Sequence, residues 1–203
     1  MIGKPERLKI HLRLERSEEA WAAKHIDALG LRGPRFLVGL NPGASFGPAK
    51  RWLPERFADL ADRLIGALHA DVLVFGSREE RPLAETIASE MEHTPIILAG
   101  ETTLRQFMAL LARCRLVVTN DSGPMHLAAA LGVPLVATFG STHERATGPL
   151  SPRARVVSQH VSCSPCGLRD CPVDFRCMTG ISVDEVYRIA LELVKETKKT
   201  NEH

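Results

Sequence analysis

From Phe36 onward, short apolar runs alternate with longer amphipathic stretches, the rhythm of a parallel sheet covered by helices on both faces. Residues 36–40, 72–75, 96–98, 116–119, 135–139 and 155–157 read as strands, and the segments between them read as helices. Behind Pro54, the residues Phe57, Leu60, Ala61 and Leu64 recur at helical spacing, which predicts a helix over 54–68. Further helices are predicted over 82–91, over 103–112 with Thr102 or Thr103 as cap, and over 123–131, where Gly132 and Pro134 stop the turn. The ends leave this rhythm. Residues 17–29 read as a helix capped by Ser17 with Glu18 and Glu19 in its first turn. Residues 182–195 read as a closing helix with Val183, Val186, Ile189, Ala190 and Leu193 on one face. The expectation is an α/β fold with a Rossmann-like parallel sheet: residues 1–33 form a connector and helix, and 34–203 form one domain carrying a cysteine-bearing loop at 160–178.

Within that pattern, residues 117–134 read as a buried strand that breaks into a polar turn and opens a helix. The β-branched Val117 to Thr119 suit a strand covered on both faces, and Asp121 or Ser122 can cap the helix that follows. Gly123 permits close backbone approach, and free N–H groups with the helix dipole favour a phosphate there, with Asp121 and His126 as polar neighbours. A capped helix that holds no ligand would have the same local sequence.

In a doubly wound sheet the carboxyl ends of the strands converge on one crevice, so the loops that follow them should meet. The loop after the first strand, residues 41–52, holds its shape with glycines and prolines and brings Lys50 and Arg51, which can neutralise phosphate charge; no Gly-Lys-Ser/Thr makes it a Walker loop. Glu79 and Glu80 follow the second strand, where one can bond ribose hydroxyls or both can complement a helix dipole. Gly100 and Thr102 follow the third, where a planar base can approach the backbone. The loop at 139–149 is rich in small polar residues, and its His143 reads as a surface polar group more than as an acid or base.

Composition narrows the classes. With 203 residues, 44% hydrophobic and 25% charged, the chain has the make-up of a globular α/β domain with extra segments. A formal charge of +2, with no dense basic block except Lys195–Lys199, gives no footprint for nucleic acid. No apolar stretch approaches the roughly 20 residues that span a bilayer, and the N-terminus is charged, so a cytoplasmic protein is expected, with membrane-surface contact left open. Four of five cysteines cluster as Cys163, Cys166, Cys171 and Cys177; the first pair has zinc-ligand spacing and the second does not, which leaves zinc, disulfides or free thiols open. Cys114 reads as a small core residue.

In combination, the runs Asn41–Trp52, Phe75-Gly-Ser77, Leu98-Ala-Gly100, Asn120–Gly132 and Phe139-Gly-Ser-Thr142 resemble, in order and spacing, the C-terminal half of the heptosyltransferases of glycosyltransferase family 9, over about residues 34–195. The resemblance implies one half of a GT-B enzyme and an inverting, metal-independent transfer of heptose from ADP-heptose to the lipopolysaccharide inner core. No cofactor beyond the donor substrate is implied. It implies that Lys50 contacts the diphosphate, that Asp121 holds the heptose hydroxyls, and that these two carry the chemistry. Ser122, Gly123 and His126 would line the diphosphate, Glu79 would meet the ribose, and Gly100 and Thr102 would flank adenine, with Ser45 completing the donor contacts. The general base and the acceptor site would belong to an N-terminal domain absent from these residues, so the chain alone is expected to bind donor without transferring it. A nucleotide-binding or regulatory module without catalysis fits the same residues. An NAD-dependent oxidoreductase does not, because Gly-x-Gly-x-x-Gly is missing after the first strand.

Overall fold

A computed structural model describes residues 10–31, 33 and 35–201, with side chains described up to 197. Six strands form a single parallel sheet: β1 (Phe36–Asn41), β2 (Ala70–Val74), β3 (Ile96–Ile97), β4 (Leu116–Asn120), β5 (Leu135–Phe139) and β6 (Ala154–Ser158). Their spatial order is β3-β2-β1-β4-β5-β6. The chain therefore starts in the middle, winds outward to β3, and returns to β4 on the other side of β1. The β1–β4 boundary, where Val38 pairs Leu116 and Asn41 pairs Thr119, is the topological switch point of the sheet.

The period of two along each strand sorts side chains onto two cores. Val38, Leu40, Val118 and Val136 point to the face covered by α2 (Pro54–Leu68), α3 (Arg81–Glu90) and α8 (Val183–Asn201). Leu37, Val117, Leu135 and Ala137 point to the face covered by α1 (Arg16–Ala28), α4 (Leu104–Leu111) and α5 (Gly123–Ala130). Cys114 is buried in the second core, where desolvation alone pushes its thiol up to about 12. Two short helices, α6 (Glu144–Thr147) and α7 (Arg176–Thr179), follow β5 and β6 respectively.

The strand and long-helix expectations hold to within a few residues, and the differences have local causes. Glu15, not Ser17, caps α1, in a reciprocal box with Glu18. Thr103, not Thr102, caps α4, its hydroxyl accepting from Gln106 N. Ser122 stands at the N-cap of α5, but neither its side chain nor that of Asp121 caps the helix; the Ser122 hydroxyl bonds the Asn120 carbonyl instead. His143 caps α6 through Nδ1 and the Arg145 N–H, a helix the sequence pattern does not announce. Residue 34, at the start of the expected domain, lies outside the described residues, as do residues 1–9 and 32 of the expected connector. The rest of it includes α1, whose Ala22 and Ile26 belong to the second core.

The buried amide of Asn120 ties the switch point together. Its Oδ1 accepts the Trp52 N–H at 2.9 Å and the Thr138 hydroxyl at 2.8 Å, and its Nδ2 donates to the Pro42 carbonyl at 2.6 Å. The two ends of the loop after β1 are thus pinned to β4 and β5. Asn120→Ala strands these partners in a dry site, so a loss of about 2–3 kcal/mol in urea unfolding is expected; a change below about 0.5 kcal/mol would show that the network is not holding the loop.

Candidate functional site

Five loops leave the carboxyl ends of β1 to β5 on one rim of the sheet, and a hollow of about 520 Å³ opens among the first four. One wall is apolar, built from Leu104 and Phe107 of α4 and Pro124 and Leu127 of α5. The opposite side is polar: Asn41 and Ser45 after β1, Ser77 and Glu80 after β2, Thr102 after β3 and Ser122 before α5. An apolar slot facing a row of hydrogen-bonding groups suits a flat, partly polar ligand.

At one end of the hollow lies the start of α5. A Cβ on Gly123 would meet nothing within 4 Å, so the approach to this N-terminus is open. Since no side chain caps the helix, the Gly123 N–H and the positive end of the dipole are available to an anion, whereas Pro124 has no N–H and the Met125 N–H donates to the Ser122 carbonyl.

Beside it sits an ion pair from two distant loops. Lys50, delivered by the 3-10 turn Pro48–Lys50, places Nζ 2.6 Å from Asp121 Oδ2, and both side chains are nearly buried, at 11% and 4% exposure. The Thr142 hydroxyl donates to the same Oδ2 at 2.5 Å, with the Thr147 hydroxyl at 3.4 Å. Every described side-chain contact of Asp121 falls on Oδ2, which leaves Oδ1 to accept from a ligand. Phe46 closes the outer side, with Lys50 Nζ 4.8 Å from its ring centroid.

The structure gathers most of the residues singled out from the sequence and leaves some aside. Ser45, Thr102, Ser122 and Gly123 line the hollow, and Lys50 and Asp121 meet beside it. Glu79 does not line it; Glu80 does, reaching so close to the loop after β1 that a Cβ on Gly43 would lie 2.0 Å from Glu80 Oε1. Glu80 Oε2 also accepts the Ser77 N–H at 2.9 Å. Glu79 turns to its own backbone N–H and the Ser77 hydroxyl, which hold its carboxyl below the usual range. Gly100 is required for a different reason than base approach: its φ is +77°, and a Cβ would sit 2.9 Å from the Arg78 Cα. His126 lies on the exposed side of α5.

Asn120, Thr142 and Phe46 escaped assignment from sequence, while Glu80 was offered only as one of two alternatives with Glu79. The available signal was position: each stands in a loop or strand end already identified as part of the rim.

The cysteine loop is the outer neighbour of this site. The Ser164 hydroxyl donates to the Gly140 carbonyl and Gly167 N–H to the Ser141 carbonyl, while Ala49 N–H donates to the Arg169 carbonyl at 2.9 Å. All five cysteines are unpaired thiols, and among the described residues no group of three or more His, Cys, Asp or Glu is arranged to hold a metal. Burial, then the nearby Cys163, Cys171 and Cys166, push the Cys177 thiol up. Among the described residues no helix is long and apolar enough to cross a membrane.

Known proteins are similar to this chain in sequence and fold. The family model for glycosyltransferase family 9 (heptosyltransferase) matches residues 2–175. Lipooligosaccharide heptosyltransferase 2 of Haemophilus influenzae is 41% identical over 155 residues, covering 74% of this chain and 44% of that protein. The same-named protein of Campylobacter jejuni serotype O:2 is 37% identical over 180 residues, covering 86% and 56%. Among solved structures, E. coli ADP-heptose LPS heptosyltransferase II superposes with a TM-score of 0.79 at 33% identity over 93% of this chain and 54% of that one. The chain thus spans about half the length of the relatives it matches. With the family model matched over most of its length and a rim built as the fold requires, the chain belongs to glycosyltransferase family 9, the heptosyltransferases.

Proposed function

We propose that this chain is the donor-binding half of a heptosyltransferase and that its rim holds ADP-heptose for transfer to the lipopolysaccharide inner core. The observation that carries the reading is the meeting of Lys50, Asp121 and Thr142, from three separate loops, beside an open helix N-terminus and an apolar slot. A relative of known structure is named for ADP-heptose, which supplies the substrate class.

Each part of that ligand has a chemical match. Adenine lies against Leu104, Phe107 and Leu127, with Thr102 at its edge. The ribose hydroxyls donate to Glu80, the acid that faces the hollow, in place of Glu79. The pyrophosphate lies across Ser45, Ser122 and Gly123 at the start of α5 and draws Lys50. The heptose hydroxyls donate to the free Oδ1 of Asp121. His126 and Gly100 stand at the periphery of this arrangement, Gly100 by fixing the shape of its loop.

In the transfer, an acceptor hydroxyl attacks the anomeric carbon, the bond from that carbon to the pyrophosphate breaks, and ADP departs with the electron pair. Lys50 and the α5 dipole stabilise the charge that grows on the departing phosphate, a role that preorganised cations and N–H groups fill well. The base that takes the acceptor proton and the surface that binds the acceptor lie outside these 203 residues, in keeping with relatives about twice as long. Residues 34–203 then serve as the nucleotide-sugar unit and 1–33 as the segment leading into it. A nucleotide-sugar donor places the reaction in the cytoplasm, with the acceptor lipid at the membrane's inner face.

Calorimetry with ADP, UDP and GDP is the direct test. ADP is expected to bind at least 10-fold more tightly than the other two, and no ADP binding at millimolar ligand would overturn the reading. Lys50→Ala should weaken ADP by about 10- to 100-fold, the worth of a charge-assisted hydrogen bond, with the melting temperature followed alongside. Glu80→Gln should weaken ADP while Glu79→Gln leaves it within twofold; the reverse order would return the ribose contact to Glu79.

A further inference from the structure

The lysine at this rim shares its charge with a carboxylate. Lys50 Nζ lies 2.6 Å from Asp121, so the pair presents little net charge, whereas a nucleoside diphosphate sugar carries negative charge on both phosphates and leaves with more. The helix dipole supplies part of the balance. Arg51 does not supply the rest: its Nε is buried and its Nη2 turns to the Ala44 carbonyl at 3.4 Å, within its own loop.

A further cation comes from the cysteine loop. Arg169 crosses over the loop after β1, where its carbonyl accepts the Ala49 N–H and a Cβ on Gly47 would lie 2.5 Å from that same carbonyl oxygen. Its guanidinium stands 5.8 Å from the centroid of Phe46, the ring that also carries Lys50. Phe46 is 42% exposed, the Arg169 side chain is exposed too, and that guanidinium makes no hydrogen bond or ion pair with any described residue. An arginine held over an aromatic face with its donors unspent is prepared for an oxyanion.

We infer that Arg169 is a specificity residue of the donor site, supplying from the cysteine loop a second cation that reads the terminal phosphate of the nucleoside diphosphate, with Phe46 as its platform. This rests on the donor-binding reading above. It gives the cysteine loop a task at the site that needs neither a metal nor a disulfide: its backbone fixes the turn that carries Lys50, and one of its side chains adds the charge that Lys50 has spent. The two contributions separate cleanly, because the Ala49 bond uses the Arg169 main chain and survives a side-chain change.

The test compares ADP with AMP, which share base and ribose and differ in the phosphate at issue. Arg169→Met keeps the stem over Phe46 and removes the charge; it should weaken ADP by about 5- to 20-fold and leave AMP within twofold. Arg169→Lys, which retains charge but not the planar fork, should recover part of the ADP affinity. ADP bound by Arg169→Met as by the parent chain would overturn the inference, and so would equal losses for ADP and AMP, which mark a merely structural role. A parent chain that binds neither nucleotide brings down the donor reading itself, whereas a parent that prefers ADP while Arg169→Met keeps that preference brings down only the role of Arg169.

Discussion

The site depends on one buried side-chain amide. Asn120, at the end of β4, bonds the first and last residues of the eleven-residue loop 42–52 and at the same time receives the Thr138 hydroxyl from β5. A buried amide with partners on three segments is a demanding constraint, since any displacement leaves a polar group dry. It therefore fixes where the loop after β1 leaves the sheet and where it rejoins the body at Trp52, whose indole is buried and donates to the Ile181 carbonyl. Lys50 is two residues before Trp52, and Asp121 is one residue after Asn120. Their meeting follows from that geometry: the amide holds the base of the loop in the core, and the ion pair forms one step further out on the rim.

The same location explains why the ion pair is stable in a poorly solvated place. A lone Lys or Asp with so little exposure would be costly, whereas the pair with its hydroxyl donor satisfies most of the electrostatic demand in advance. The partners divide the two carboxylate oxygens unequally. Oδ2 is occupied by Lys50 and Thr142, and Oδ1 has no described side-chain partner, so the carboxylate is held in one orientation with an acceptor unspent. That orientation is held by the fold, because the partners come from the loops after β1 and β5.

The fold was legible because its two periods are clean: short apolar runs of three to five residues and amphipathic helices with identifiable stops specify the doubly wound sheet. The strand–turn–helix junction at 121–123 was legible for the same reason, since a buried apolar run that breaks into a polar turn before a helix is written in local sequence. The rest depended on contacts between residues distant in sequence. Glu80 and Glu79 are indistinguishable as first-turn acids, and only the start of α3 at Arg81 decides which of them faces the hollow. Asn120 and Thr142 take their meaning from loops some 20 to 80 residues away, which no local pattern carries. His126 stands in the first turns of α5 with its side chain exposed, and it does not line the hollow.

The cysteine segment shows how a conspicuous pattern can mask the residue that matters beside it. Thiol spacing draws attention to metals and disulfides, but the packing of that segment is directed at the site's two flanking loops, through Ser164 on Gly140, Gly167 on Ser141 and Arg169 on Ala49. The Gly140 side of this contact is tight: a Cβ there would lie 2.5 Å from the Met178 sulfur and 3.0 Å from Cys177 Sγ. A segment packed so closely on the loops that carry Lys50 and Thr142 transmits its own conformation to these two partners of Asp121, because protein interiors deform little before they repack. The thiols themselves need no ligand for this to operate. What the chain requires of the segment is its shape, and any chemistry that altered that shape would be felt first at the Lys50–Asp121 pair.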